Sequence, residues 1–158
     1  MTPNPTFEEE VMAEAPAPKP EENKFIQIVV EKPPVWDRAH EVFDIDDSST
    51  VYAYGNKIYN PANIQGIPQH VIEHELVHIR QQEAIGGAEK WWNLYLTEEI
   101  FRINQEIEAY RVQYAFYCLA NRDRNAQARF LNSLGGFMAS NMYGAPMSKI
   151  EAMKAIRN

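Results

Sequence analysis

The sequence predicts an α+β fold, in which a small N-terminal β-sheet precedes a mainly helical core. Two segments, 24–31 and 51–60, are rich in β-branched and aromatic residues, and Pro, Gly and Asn residues bound them. From residue 67 onward, apolar residues recur at three- and four-residue steps, which is the period of amphipathic helices. A β layer followed by helices is the element order of an α+β fold.

The chain is predicted to consist of one domain preceded by a tail. Residues 1–23 are rich in Pro, Glu and Ala and have little to bury, so we expect an acidic, disordered tail. The remaining residues, 24–158, have the length of a single domain. A docking segment for a protein partner is the functional interpretation of the tail, and a solvated leader is the plainer one.

Composition argues against several classes of partner. The formal net charge is −7, and no basic patch of the kind that neutralises phosphates stands out, so nucleic acid is not an expected ligand. No apolar run is long enough to span a membrane, and the N-terminus has no signal-peptide pattern. The lone Cys118 lies in an apolar helical pattern and cannot form an internal disulfide. We therefore expect a cytoplasmic protein.

Local signals predict the individual elements. A hairpin is expected to turn at Gly55-Asn56, and a helix is expected to begin near Pro68 and end at Gly86-Gly87. Thr97 has the chemistry of a helix N-cap. The complete set of expected elements is a strand over 24–31, a short helix within 36–45, a strand or hairpin over 51–60, a helix or packed connector over 88–97, and helices over 68–86, 97–117 and about 125–140.

The helix after Pro68 contains "HVIEHELVHIRQQ" (residues 70–82). His74 and His78 are four residues apart, so both imidazoles can reach one ion. Glu75 is offset from His74 by about 100°, beside the ion rather than on it, which is where a general base is needed. This is the HExxH pattern of zinc-dependent peptidases. The ion lowers the pKa of water to about 7, and the glutamate takes the proton during attack on a carbonyl.

The alternative to a Zn²⁺ site is a solvated helix face with an i,i+4 pair. The apolar neighbours Val71, Leu76, Val77 and Ile79 favour a half-buried helix, and therefore the metal site. His70 lies on the same side, one turn earlier. It is either a group near the metal or substrate, or a polar neighbour of the helix start.

A catalytic zinc needs a third protein ligand and an open position. No histidine follows His78, so the candidates are the carboxylates of "NQEIEAYRVQY", Glu106 and Glu108. These two residues are separated by about 200° around a helix, so both cannot face the ion.

At these residues the chain resembles the gluzincin-type zincins, whose third ligand is a glutamate on a second helix. In several such families an alanine follows the glutamate at three residues and a polar residue at four, as Ala109 and Tyr110 follow Glu106. The resemblance implies Glu106 as the ligand, with Glu108 as the fallback. Tyr110 replaces an acidic residue that bonds a ligating histidine. The likeness covers about residues 50–116 and looks most like minimal peptidase-like proteins of tailed phages and bacteria.

The resemblance implies hydrolysis of peptide or protein substrates, with Glu75 as general base and the edge strand near residues 52–59 receiving the peptide. It also implies a tyrosine as the oxyanion donor, with four candidates: Tyr110, Tyr114, Tyr117 and Tyr143. Trp91, Trp92 and Tyr95 are predicted to be core rather than a specificity pocket. The alternative function is a catalytically weak or inactive zincin scaffold that serves as a structural or binding component, for example of a phage particle.

Overall fold

The computed structural model describes residues 26–140 and 143–158, so the predicted tail over 1–23 lies outside the described residues. The described elements are β1 Gln27–Val29, α1 Trp36–Val42, β2 Tyr52–Tyr54, β3 Lys57–Tyr59, α2 Gln69–Ile85, α3 Ala88–Thr97, α4 Glu99–Ala120, α5 Arg124–Met138 and α6 Lys149–Arg157. The architecture is α+β and mostly helical, as the sequence predicts. Among these helices, none is both long enough and apolar enough to cross a membrane.

The sheet has the strand order β1-β3-β2, so β3 lies in the centre. β1 is parallel to β3, and β2 is antiparallel to β3 as the second arm of the predicted hairpin. Gly55 has a φ of 66° at the first position of the two-residue turn, where a side chain is disfavoured. The edge of β2 away from β3 faces α2, because Ala53 bonds to a side chain of that helix.

Of the helix ends predicted from single residues, Gly86 is confirmed and Thr97 is not. Gly86 ends α2 in the left-handed conformation, as predicted. The N-cap expected at Thr97 is wrong, since Thr97 is the last residue of α3 and its hydroxyl donates to the Asn93 carbonyl. Helix α6 was not predicted, although Ser148 and Glu151 form a capping box at its start.

The core is aromatic and lies between the sheet and the helices. Trp91, Trp92 and Tyr95 are buried in it, as predicted, but all three also border the cavity beside His74 and His78, so core and pocket lining do not exclude each other here. The buried residues of α4 are Arg102, Glu106, Ala109, Tyr110 and Gln113. Ile100 is 76% exposed and Cys118 is half-buried. The buried face of α4 is therefore largely polar. The helix packs against α2.

Two adjacent glycines of α5 give a matched test of the contact between α5 and α6. A Cβ on Gly135 would lie 2.5 Å from Met153 Cγ and 3.1 Å from the Lys149 carbonyl oxygen, whereas a Cβ on Gly136 meets nothing within 4 Å. We expect Gly135→Ala to destabilise the protein by about 1–3 kcal/mol through overpacking. Gly136→Ala should stabilise it by about 0.5–1 kcal/mol, because alanine favours the helix. Urea unfolding midpoints measure both effects, and shifts of equal sign would contradict this packing.

Candidate metal centre

The structure brings His74, His78 and Glu106 together in the interior. Helix α2 presents the two histidines from successive turns, and α4, which packs against it, presents the glutamate. All three side chains are buried, and one ligand atom from each lies within 4.8 Å of the others. These are the three residues that the motif and the resemblance single out.

The distances among the three ligand groups suit a small tetrahedral ion. The two Nε2 atoms are 3.1 Å apart, His74 Nε2 lies 3.2 Å from Glu106 Oε2, and His78 Nε2 lies 3.3 Å from Glu106 Oε1. Zinc–nitrogen and zinc–oxygen bonds of about 2.0–2.1 Å place tetrahedral ligands about 3.3–3.4 Å apart. Each imidazole nitrogen approaches a different oxygen of the Glu106 carboxylate, and all three spacings are close to those of tetrahedral zinc ligands.

Two glutamines orient the histidines. His74 Nδ1 lies 2.9 Å from Gln113 Oε1, and His78 Nδ1 lies 2.8 Å from Gln81 Oε1. An amide oxygen only accepts, so each Nδ1 carries a hydrogen and each Nε2 is left for the ion. The orientation of Gln81 is itself fixed, because its NH₂ group donates to the Gln105 carbonyl and the Glu108 carboxylate.

The hydrogen bonds of the Glu106 carboxylate test whether these three side chains suit a bound cation. Its Oε1 accepts a 2.6 Å hydrogen bond from the Tyr95 hydroxyl, whereas its Oε2 is buried and has no hydrogen-bond partner. His74 Nε2 is close to Oε2, but the two atoms do not have hydrogen-bond geometry. A buried carboxylate oxygen without a donor is costly unless a cation faces it. Two imidazoles and one carboxylate are a donor set that fits zinc.

Glu75 lies beside these three residues and is not one of them. Its side chain is buried and borders the same cavity as the three ligands. Burial raises the pKa of Glu75, and the neighbouring Glu106 carboxylate adds to the rise, while His74, His78 and the backbone of Ala53 act in the opposite direction. A raised pKa makes a carboxylate a stronger proton acceptor.

In the metal-free protein, a proton takes the place of the cation. Burial disfavours the charged His78 ring, but the Glu106 carboxylate outweighs burial and raises the pKa of His78 to about 9. The ion must displace this proton, so metal affinity should rise as the pH increases from about 7 to 9 and then level off. Chelator competition at several pH values measures the affinity. A constant affinity across that range would contradict the pairing of His78 with Glu106.

Of the remaining candidate residues, two tyrosines border the centre, whereas Glu108 and the other two tyrosines do not. Glu108 is exposed and contacts Gln81, away from the ligand atoms, so it is not positioned as the third ligand. Tyr110 and Tyr143 border the cavity, with their hydroxyl oxygens 2.9 Å apart. Tyr117 instead stacks on Phe130. Tyr114 is likewise not among the residues that line this cavity.

Side chains of the protein form hydrogen bonds with part of the backbone at the free edge of β2. The Ala53 carbonyl accepts hydrogen bonds from Gln82 and Trp92, and the Gly55 N–H donates to Gln82 Oε1. The amide of Gln82 thus pairs with this edge much as a neighbouring strand would. A further strand could pair with all of β2 only by displacing Gln82.

The sequence analysis missed three residues of the centre: Gln81, Tyr95 and Gln113. Gln81 follows His78 by three residues and Gln113 follows Glu106 by seven, so each lies on the same helix face as a ligand. These spacings were the available signal, but glutamines on a helix are common and their partners depend on the packing of α2 against α4. Tyr95 was assigned to the core alone.

Loss of either orienting glutamine should weaken metal binding. Gln113→Ala and Gln81→Ala are each expected to lower zinc affinity by about 10–100-fold, which is typical when a partner of a ligating histidine is removed. Gln69→Ala is the matched control, since Gln69 lies on α2 and its side chain donates a hydrogen bond to Glu73 rather than to a histidine. Competition with a fluorescent chelator measures all three variants. An unchanged affinity in the first two would mean that the histidines orient themselves.

Comparisons with known proteins add no family to this picture. No protein-family model matches the chain, and no curated protein or solved structure is significantly similar to it. The functional assignment therefore depends on the geometry of the centre: a buried set of two histidines and one glutamate that could hold a metal ion, with Glu75 at its side.

Proposed function

We propose that this protein is a zinc-dependent peptidase, in which His74, His78 and Glu106 hold the ion and Glu75 is the general base. The observation that carries the proposal is the position of Glu75. It is a buried carboxylate that shares a cavity with the three ligands but is not one of them. A site that only binds metal has no need of such a residue, whereas hydrolysis needs a base next to the reacting groups.

The chain's own residues would carry the proton transfers. When bound, zinc lowers the pKa of water to about 7 and polarises a carbonyl group. Glu75 would take the proton from the attacking water and pass it to the nitrogen of the leaving amine. Burial keeps the Glu75 carboxylate out of bulk water, and its raised pKa favours uptake of the proton from the water.

Tyr110 and Tyr143 are the candidates for the oxyanion donor. Burial raises the pKa of both phenols, so they stay protonated and able to donate. Their mutual hydrogen bond uses one of the two hydroxyl hydrogens, and among the described residues no second acceptor engages the pair. The remaining hydrogen is available to a carbonyl oxygen that becomes negatively charged during attack.

The cavity supports a peptide with apolar side chains as the substrate. It has a volume of about 370 Å³, which suits a few residues of an extended chain. Away from the centre its walls are mainly apolar, with Phe43, Ile45, Val71 and Phe137 among them. Outside the ligands and Glu75, no Asp, Glu, Lys or Arg of the described residues borders it, so charged side chains find no partner there.

Hydrolysis of a mixed peptide library tests the proposal. The zinc-loaded protein should cleave library members, a chelator should stop cleavage, and added zinc should restore it. Mass spectrometry of the products identifies the bonds that are cut, and apolar residues should be enriched beside them. Absence of zinc-dependent cleavage across the library, with zinc bound to the protein, would refute the peptidase assignment.

A second candidate is a zinc scaffold that binds a partner without cleaving it. The pairing of Ala53 and Gly55 with Gln82 favours this reading, because it leaves little of the edge strand for a substrate. The predicted acidic tail would then be a contact for a protein partner. The two candidate functions differ in the role of Glu75. In a scaffold, a Glu75→Gln protein should bind its partner as well as the wild type does.

A further inference from the structure

His70 is the first histidine of α2, and the metal centre described above leaves it without a role. Its Nδ1 lies 3.0 Å from Gln113 Nε2, while the oxygen of the same amide lies 2.9 Å from His74 Nδ1. The His70 ring packs edge-on against Tyr117 and Phe130, with centroids 5.7 and 4.8 Å away. One amide group therefore connects His70 to a metal ligand.

The direction of these two hydrogen bonds follows from the tautomer in which His74 can bind a metal ion. His74 can offer Nε2 to an ion only when Nδ1 carries the hydrogen, and that hydrogen needs the Gln113 oxygen as its acceptor. The NH₂ group of Gln113 then points at His70, whose Nδ1 must accept. His70 must consequently be neutral with its hydrogen on Nε2. Burial lowers the pKa of His70, which favours the neutral ring.

We propose that His70 is a positioning residue, which selects the orientation of the Gln113 amide and through it the tautomer of His74 that binds metal. This inference rests on the zinc centre of the proposed function, but not on peptidase activity. With the Gln113 amide reversed, its NH₂ group would face His74 Nδ1 and favour the tautomer with the hydrogen on Nε2, which cannot bind the ion.

The second histidine ligand, His78, has a partner amide, Gln81, whose orientation is fixed without a further histidine. The NH₂ group of Gln81 is held by a backbone carbonyl and by the Glu108 carboxylate, and neither of these can donate. Gln81 is thus oriented without a histidine. For the Gln113 NH₂ group, the acceptor among the described residues is His70.

A double-mutant cycle separates positioning from packing. His70→Phe keeps an aromatic ring against Tyr117 and Phe130 but removes the acceptor. Gln113→Glu replaces the amide by a carboxylate, which accepts at both oxygens and has no wrong orientation. We expect His70→Phe to lower zinc affinity about tenfold in the wild-type background. In the Gln113→Glu background the same change should alter affinity by less than about twofold.

The outcomes distinguish this inference from the proposed function. Equal losses in both backgrounds, or no loss in the wild-type background, would overturn the positioning role. Zinc binding without peptide cleavage would refute the peptidase and leave the role of His70 intact. If the wild type bound no zinc, nitrogen-15 NMR of the metal-free protein would still decide at a pH where the rings are neutral. The expected hydrogens are on His74 Nδ1 and His70 Nε2, and any other pair overturns the inference.

Discussion

Replacing Glu75 by glutamine is expected to reduce peptide hydrolysis by about 10²–10⁴-fold, the range that a positioned general base contributes. Glutamine has nearly the shape of glutamate but cannot take up the proton. Glu75 is not one of the three ligands, so the variant should keep its zinc and its fold. Initial rates on a cleaved peptide measure the loss, and metal analysis of the same sample shows that the ion is present.

Glu73→Gln is the matched control for this substitution. Glu73 lies on the same helix, two residues before Glu75, and contacts Gln69. Its variant should retain full activity. A Glu75→Gln protein as active as the wild type would contradict the assigned base and would favour the non-catalytic zinc scaffold.

Zinc is expected to stabilise the folded protein strongly, because the metal centre joins α2 to α4. At a free zinc concentration 1,000-fold above Kd, binding adds about 4 kcal/mol, and for a chain of this length that raises Tm by about 8–16 °C. In Glu106→Ala this increase should vanish, since the third ligand is gone. Thermal unfolding followed by circular dichroism, with zinc and with chelator, measures the difference.

Glu108→Ala provides the comparison for the stabilisation experiment. Its carboxylate is exposed and holds Gln81, which the Gln105 carbonyl also holds, so this variant should keep most of the zinc-dependent increase in Tm. An equal loss in Glu106→Ala and Glu108→Ala would mean that the two carboxylates have been assigned the wrong roles.

Much of the fold and part of the centre could be predicted from the sequence because their signals are local. The turn at Gly55 and the left-handed end of α2 at Gly86 follow from residues that act on their own backbone. The grouping of His74 with His78 follows from helix geometry alone. Glu106 needed more, since spacing left Glu108 open and only the resemblance chose between them; the structure places Glu106, not Glu108, beside the histidines.

The parts that could not be predicted depend on contacts between distant segments. Gln113 and Gln81 orient the histidines only when α4 lies against α2. The side-chain chemistry of a glutamine does not by itself predict that it will bond to a metal ligand. Tyr95 was recognised as core, but its hydroxyl bond to Glu106 depends on how α3 packs. Ile100 is apolar and yet exposed, because the buried face of α4 is largely polar.

Metal analysis by mass spectrometry, on wild type, Glu106→Ala and Glu108→Ala proteins prepared identically, tests the central claim most directly. The expected result is one zinc per wild-type chain, lost in Glu106→Ala and retained in Glu108→Ala. A wild-type protein without stoichiometric metal, or a Glu106→Ala protein that keeps its zinc, would contradict a centre built from His74, His78 and Glu106.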